Sequence, residues 1–129
     1  PETHTEISIE RARKAYPPNP KTIAVKTNQL PFSDHTFDAS LAILSAHEIR
    51  NEAERILFFR ELARVTKASG QIIVTEHLRD FNNFLAYTFG FFHFISRPNW
   101  LRVFAKAEIH IEQEIKITPF ITTFILSKK

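Results

Sequence analysis

Two runs, FDASLAIL at 37–44 and QIIVTEHL at 71–78, have apolar bodies, Leu41–Leu44 and Ile72–Val74, with a segment of helical period between them. A strand with one wet face alternates apolar and polar residues. A body of consecutive apolar residues is expected to be covered on both faces. Between the runs, Ile56, Leu57, Phe59, Leu62, Ala63 and Val65 recur at helical spacing from about Asn51 to Thr66. KASG follows, with Gly70 read as the helix stop. Strand, helix and strand in this order form the unit of a parallel sheet with helices against it.

The pattern extends both ways. Upstream, Ser8 is placed to cap a helix running to Tyr16, with Ile9, Ala12 and Tyr16 on one face. The prolines of YPPNPK end that helix, and TIAVK at 22–26 reads as a further strand. Downstream, residues 81–95 form an aromatic-rich stretch of helical character, followed by a helix over Pro98–Ala107. EIHIEQEIKIT and FITTFILSK then read as an antiparallel hairpin at one sheet edge.

At 129 residues the chain holds a single core, and one domain is expected over 1–129. A hydrophobic content of 43% with 24% charge is that of a globular protein. The net charge of +3 is scattered along the chain and not gathered into a stripe, so no nucleic-acid partner is expected. With no Cys, disulfides and thiolate metal sites are excluded, and the expected location is cytoplasmic. No apolar run reaches membrane-spanning length.

Ligands of open α/β sheets bind beyond the carboxyl ends of the parallel strands. Here those ends carry Glu6, then Lys26-Thr27-Asn28, then Ser45-Ala46-His47-Glu48, then Glu76-His77 followed by Arg79 and Asp80. Each alone reads as a solvated loop or a helix-entry carboxylate. Four polar ends on apolar strands read as a cleft, with His47-Glu48 beside Glu76-His77. Metal chemistry is not expected. HEIRN at 47–51 starts like a zinc-protease helix but has Asn51 where the second His would stand, and no two His lie three or four apart. No Gly-x-Ser-x-Gly elbow is present, and Gly70 and Gly90 are the only glycines.

QLPFSDHTFDASLAILSAHEI together with FFRELARVTKASGQIIVTE resembles the central block of class I S-adenosylmethionine-dependent methyltransferases of the type 11 kind. The resemblance covers residues 4–80 by motif and the remainder by order of elements. It implies a partial Rossmann-like, three-layer αβα sandwich with a mostly parallel sheet and a C-terminal antiparallel hairpin. By the same resemblance Glu6 would accept from the cofactor's ribose hydroxyls. Thr27 and Asn28 would lie by the adenine with Leu30 and Phe32 packed nearby, and Ser45 would border the methionine part. His47, Glu48, Glu76 and His77 would face the methyl acceptor, with His47 the first choice of base and His77 the second.

Two features depart from the family pattern. Lys26 stands where many relatives carry an acid. The family's first strand, Gly-rich loop and first helix precede the ribose carboxylate, and only five residues precede Glu6. The expectation is therefore a truncated methyltransferase that acts on a small or lipid-like acceptor when complete and is inactive as this chain alone. In the family the missing strand lies between the one ending at Glu6 and the one at 37–44. Its loss would leave unpaired strand flanks, so a homo-oligomer with a displaced or exchanged N-terminal segment is expected. The alternative is a non-catalytic, partner-binding or oligomerisation domain of the same ancestry. The stretch FLAYTFGFFHFISRPNW reads first as a core or subunit-interface helix. A lid over an apolar acceptor and a membrane-surface patch are its other readings.

Overall fold

The computed structural model describes residues 11–128, apart from 13 and 18. Strand β1 is Phe37–Ile43, helix α1 is Glu52–Val65, and strand β2 is Thr66–His77. Helix α2 is Phe81–Tyr87, a 3-10 segment spans Thr88–His93, and helix α3 is Arg97–Lys106. Strands β3, Ile109–Lys116, and β4, Ile121–Lys128, form the hairpin. The sheet order is β1-β2-β4-β3. β1 runs parallel to β2, whereas β2–β4 and β3–β4 are antiparallel. Among the described strands the balance is thus one parallel pair to two antiparallel ones, on a Rossmann-like plan. No helix of the described residues is long and apolar enough to cross a membrane.

Register sets the faces. Ala42 pairs with Val74 and Val74 with Phe124, so these three project to one side, together with Ile72 and Leu126. All five are buried. Helices α1 and α3 cover this side through an aromatic cluster. Phe59 meets Phe104 edge-on at 5.2 Å and Trp100 at 6.0 Å, and Phe104 meets Phe124 at 5.3 Å. Phe59, Trp100 and Phe124 are wholly buried, so this cluster carries much of the apolar stabilisation. On the opposite side Leu41 and Ile43 remain 58% and 57% exposed.

Three local expectations need correction. TIAVK forms no strand with the described residues: among them 22–25 have no ladder partner, and Lys26 bridges only to Gln29 across a tight turn. A strand exists only by pairing, which propensity cannot supply. KASG is not a helix stop. The helix ends at Val65 and β2 begins at once, because the Thr66 hydroxyl caps Leu62 O at 2.6 Å and bonds Ser40 Oγ at 2.7 Å. Gly70 lies inside β2, where a Cβ would stand 2.7 Å from Asp38 O and 2.8 Å from Thr66 Cγ2. The glycine permits a close approach between β1 and β2. The expected first helix is met in part: residues 11, 12, 14 and 15 are helical, while its proposed cap, Ser8, lies outside the described residues.

The loop that feeds β1 is locked to α1 by one guanidinium. Arg64 donates to Leu30 O, Phe32 O and Asp34 Oδ1 at 3.0, 2.8 and 2.7 Å, and to both oxygens of Glu61. Glu61 in turn accepts from Leu30 N–H at 2.8 Å. Arg64 holds the Glu61 carboxyl below its ordinary range. The Leu-Pro-Phe motif and the Arg64 of RELARV are therefore two halves of one clamp.

Candidate functional site

At the carboxyl end of β1 the chain turns sharply. Leu44 has φ 49°, a left-handed conformation that costs a non-glycine residue about 1–2 kcal/mol. Its N–H is held by Thr75 O at 2.8 Å. The 3-10 turn Ala46–Glu48 follows, and its backbone wraps a carboxylate from β2. Ala46 N–H and His47 N–H donate to Glu76 Oε1 at 2.8 and 3.3 Å. His47 Nδ1 lies 2.6 Å from Glu76 Oε2. Glu76 is wholly buried and His47 only 7% exposed. A buried carboxylate is tolerated only when its acceptor sites are filled, and here three donors fill them.

This bond fixes the ring. With Nδ1–H donating to Glu76, His47 Nε2 becomes the working nitrogen. The Glu76 carboxylate pushes the His47 pKa above its ordinary value. Burial opposes the shift and Glu48 adds to it. Nε2 lies 3.2 Å from Glu48 Oε1, and that same oxygen accepts from His93 Nε2 at 2.9 Å. His93 holds Glu48 below the usual carboxylate range. Arg50 Nη1 donates to His93 O at 2.7 Å, and its Nη2 lies 3.7 Å from Glu48 Oε2.

His77 projects to the other side of β2, as strand alternation requires after Glu76. Its Nδ1 lies 3.0 Å from Phe120 O and 3.2 Å from Asn83 Oδ1, and its Nε2 lies 3.4 Å from Tyr87 Oη. Phe94 separates the two histidines, stacked on His77 at 5.0 Å and edge-on to His47 at 6.1 Å. The cleft read from the sequence thus joins His47-Glu48 to Glu76, with His77 behind an aromatic wall.

The other sequence candidates are placed as follows. Thr27 donates to Glu54 Oε1 at 2.5 Å. Asn28 and Ser45 are exposed. Leu30 is buried in the core, and both its N–H and its carbonyl are engaged by the Arg64 clamp. It therefore braces the Thr27–Asn28 turn. Glu6 lies outside the described residues. Sequence reasoning missed His93 and Arg50, which meet Glu48 through the fold, His93 from 45 residues away. It also missed Arg55, a buried guanidinium over Trp100 that donates to Ile49 O and so anchors the His47 turn from below.

Known proteins share the fold that carries these residues. A family model described as a methyltransferase domain matches residues 4–74. The chain is similar to a demethylmenaquinone methyltransferase of Mycobacterium sp. (strain KMS), 26% identical over 100 residues, which are 75% of this chain and 42% of that protein. It therefore spans less than half the length of the curated relatives it matches. Among solved structures it resembles the PH0226 protein from Pyrococcus horikoshii OT3, with a TM-score of 0.69 and 20% identity over 93% of this chain and 65% of that one. A SAM-dependent methyltransferase from Aquifex aeolicus gives a TM-score of 0.68 and 16% identity, over 92% of this chain and 60% of that one. Since the family match covers more than half of its residues, this chain belongs to the methyltransferase domain family.

Proposed function

We propose that these residues are part of an S-adenosylmethionine-dependent methyltransferase acting on a small, lipid-like acceptor, with His47 as the base that receives the acceptor's proton. The observation that carries the reading is the 2.6 Å bond from His47 Nδ1 to the buried Glu76, which presents Nε2 at the carboxyl rim of the sheet. An imidazole oriented by a carboxylate is suited to accept a proton and hold the resulting charge. Proton release to solvent then passes by Glu48, which is exposed enough to swing away from Nε2.

The cofactor reading is supported by the fit of the rim. Asn28 and Ser45 are exposed, and neither side chain makes a hydrogen bond among the described residues, so both are available to a ligand. Thr27 adds a hydroxyl on the braced turn. These three, with Glu6, would hold the adenosine and border the methionine part. The cofactor would supply the electrophilic methyl group. Protein residues would provide in-line positioning and the base. Methyl transfer by the whole protein is expected to fall about 10²–10⁴-fold in His47→Gln, with His77→Gln much milder. An unchanged rate and pH profile in His47→Gln would overturn the assignment.

Support for an apolar acceptor comes from the segment after β2, where Phe81, Leu85, Phe89 and Phe92 are 70%, 63%, 84% and 58% exposed. Such a patch is more than a solvated helix requires. The mycobacterial relative, named for demethylmenaquinone, points the same way. The test is methyl transfer to quinol and aliphatic phenol acceptors against polar ones of equal acidity. Equal rates would remove the lipid-like preference.

A second reading, a non-catalytic self-associating domain, is favoured by one observation. Among the described strands β1 pairs only with β2, and Leu41 and Ile43 on its outer face stay exposed. An edge of this kind recruits another strand. Light scattering that gives a monomer, together with cofactor binding by the longer protein, rules this reading out.

A further inference from the structure

We propose that His47, Glu48 and His93 form a binding site for a first-row divalent transition metal ion of the Zn²⁺ class. Their ligand atoms all lie within 4.8 Å of one another. Glu48 Oε1 stands 3.2 Å from His47 Nε2 and 2.9 Å from His93 Nε2. Ligands about 2.0–2.2 Å from a tetrahedral ion stand about 3.3–3.5 Å apart, so two of the three edges are already near the required length. Two imidazoles and one carboxylate select Zn²⁺, Co²⁺ or Ni²⁺ over Mg²⁺ and Ca²⁺, which prefer oxygen. Water would complete the coordination.

The stronger argument lies behind the ligands. A metal-bound histidine needs its second nitrogen held, usually by a carboxylate. Glu76 does this for His47 at 2.6 Å, fully buried and pinned by two backbone N–H groups. The ring is therefore set before any ion arrives. With Nδ1–H given to Glu76, a neutral His47 directs its Nε2 lone pair at a carboxylate oxygen of Glu48. That geometry is favourable only with a positive species between them, either a proton or a metal ion.

Arg50 is the competing feature. Its Nη2 rests against the His93 ring and near Glu48, supplying charge where an ion would sit. The side chain is about half exposed, so it can withdraw, and its loss is expected to tighten binding. A bound ion also takes the lone pair that proton abstraction uses, so it should slow methyl transfer. This consequence, unlike the binding itself, rests on the reading of His47 as base.

The experiment is calorimetry with Zn²⁺ and visible absorption with Co²⁺ on the chain as it stands. One equivalent should bind, with cobalt bands of a tetrahedral or five-coordinate site. Affinity should drop at least tenfold in His93→Gln and in Glu48→Gln, both on the exposed rim and so harmless to the core. It should drop about 10–100-fold in Glu76→Gln, rise in Arg50→Gln, and stay unchanged in His77→Gln. No saturable binding, or binding that survives both rim variants, overturns the site. Zn²⁺ binding without any loss of methyl transfer by the whole protein overturns the competition alone. Failed binding beside an inactive His47→Gln overturns the site and leaves the base in place.

Discussion

Replacing Glu76 by Gln tests the centre of the site at almost constant volume. The amide oxygen can keep the Ala46 and His47 N–H bonds of 2.8 and 3.3 Å, so the turn retains its scaffold. What is lost is the 2.6 Å charge-assisted bond to His47 Nδ1. Such a bond contributes about 1.5–3 kcal/mol. Part of the loss is offset because a buried amide costs less to desolvate than a carboxylate. The expected net destabilisation is about 1–3 kcal/mol, read as a shift of the urea midpoint at unchanged slope. The sign with pH follows from linkage. The folded-state pKa of His47 is raised above 6.5, so its charged form adds stability that is complete below 6.5 and disappears as pH rises through the raised value. The gap between wild type and variant should therefore be larger at pH 6 than at pH 9. In the variant, the His47 Cε1–H titration followed by NMR, with chelator present, should move to lower pH. A gap that is flat or widens with pH, or an unmoved titration, would show that Glu76 does not set the state of His47.

Other perturbations have equally direct readouts. Gly70→Ala forces a methyl against Asp38 O and Thr66 Cγ2, and should cost about 1–3 kcal/mol in urea unfolding. Gly90→Ala, where the nearest atom is 3.6 Å away, is the control without a clash. Arg64→Met releases Leu30, Phe32 and Asp34 together, so limited proteolysis should cut within residues 30–36 before the global unfolding transition. Glu6→Ala in the longer protein should weaken S-adenosylmethionine binding by about 1–3 kcal/mol by calorimetry, the range for lost charge-assisted hydrogen bonds.

Much of the fold is legible because it rests on period and composition. β1, α1, β2 and the final hairpin follow from runs whose apolar spacing admits one solution each. The errors arise where a partner decides. TIAVK has strand propensity but no ladder among the described residues, and Gly70 resembles a helix stop although its absent side chain matters across the strands. The start of β2 at Thr66 depends on a hydroxyl that reaches Leu62 O and Ser40 at once. In the site, the nearness of His47 to Glu76 follows from two neighbouring parallel strands ending level, Ile43 opposite Thr75. His93 was not legible. It arrives through a 3-10 segment that opens at Thr88, whose φ of 49° is unusual for a β-branched residue.

The position of Glu76 on β2 explains why this turn and this carboxylate belong together. By alternation it falls on the side occupied by Ile72 and Val74, where every other rule of the sheet asks for an apolar residue. A carboxylate there is costly unless donors surround it, and β2 cannot provide them, since its own N–H groups serve the ladders to β1 and β4. They come instead from the backbone of Ala46 and His47, which can point inward only if the chain reverses at Leu44. The strain at Leu44, the buried charge at Glu76 and the locked ring of His47 are thus one arrangement, and none has a structural reason to exist without the others. Where local rules are broken together and satisfy each other, function is the usual cause. The arrangement ends in a single outward nitrogen, His47 Nε2, and both the proton and the proposed metal ion meet the protein there.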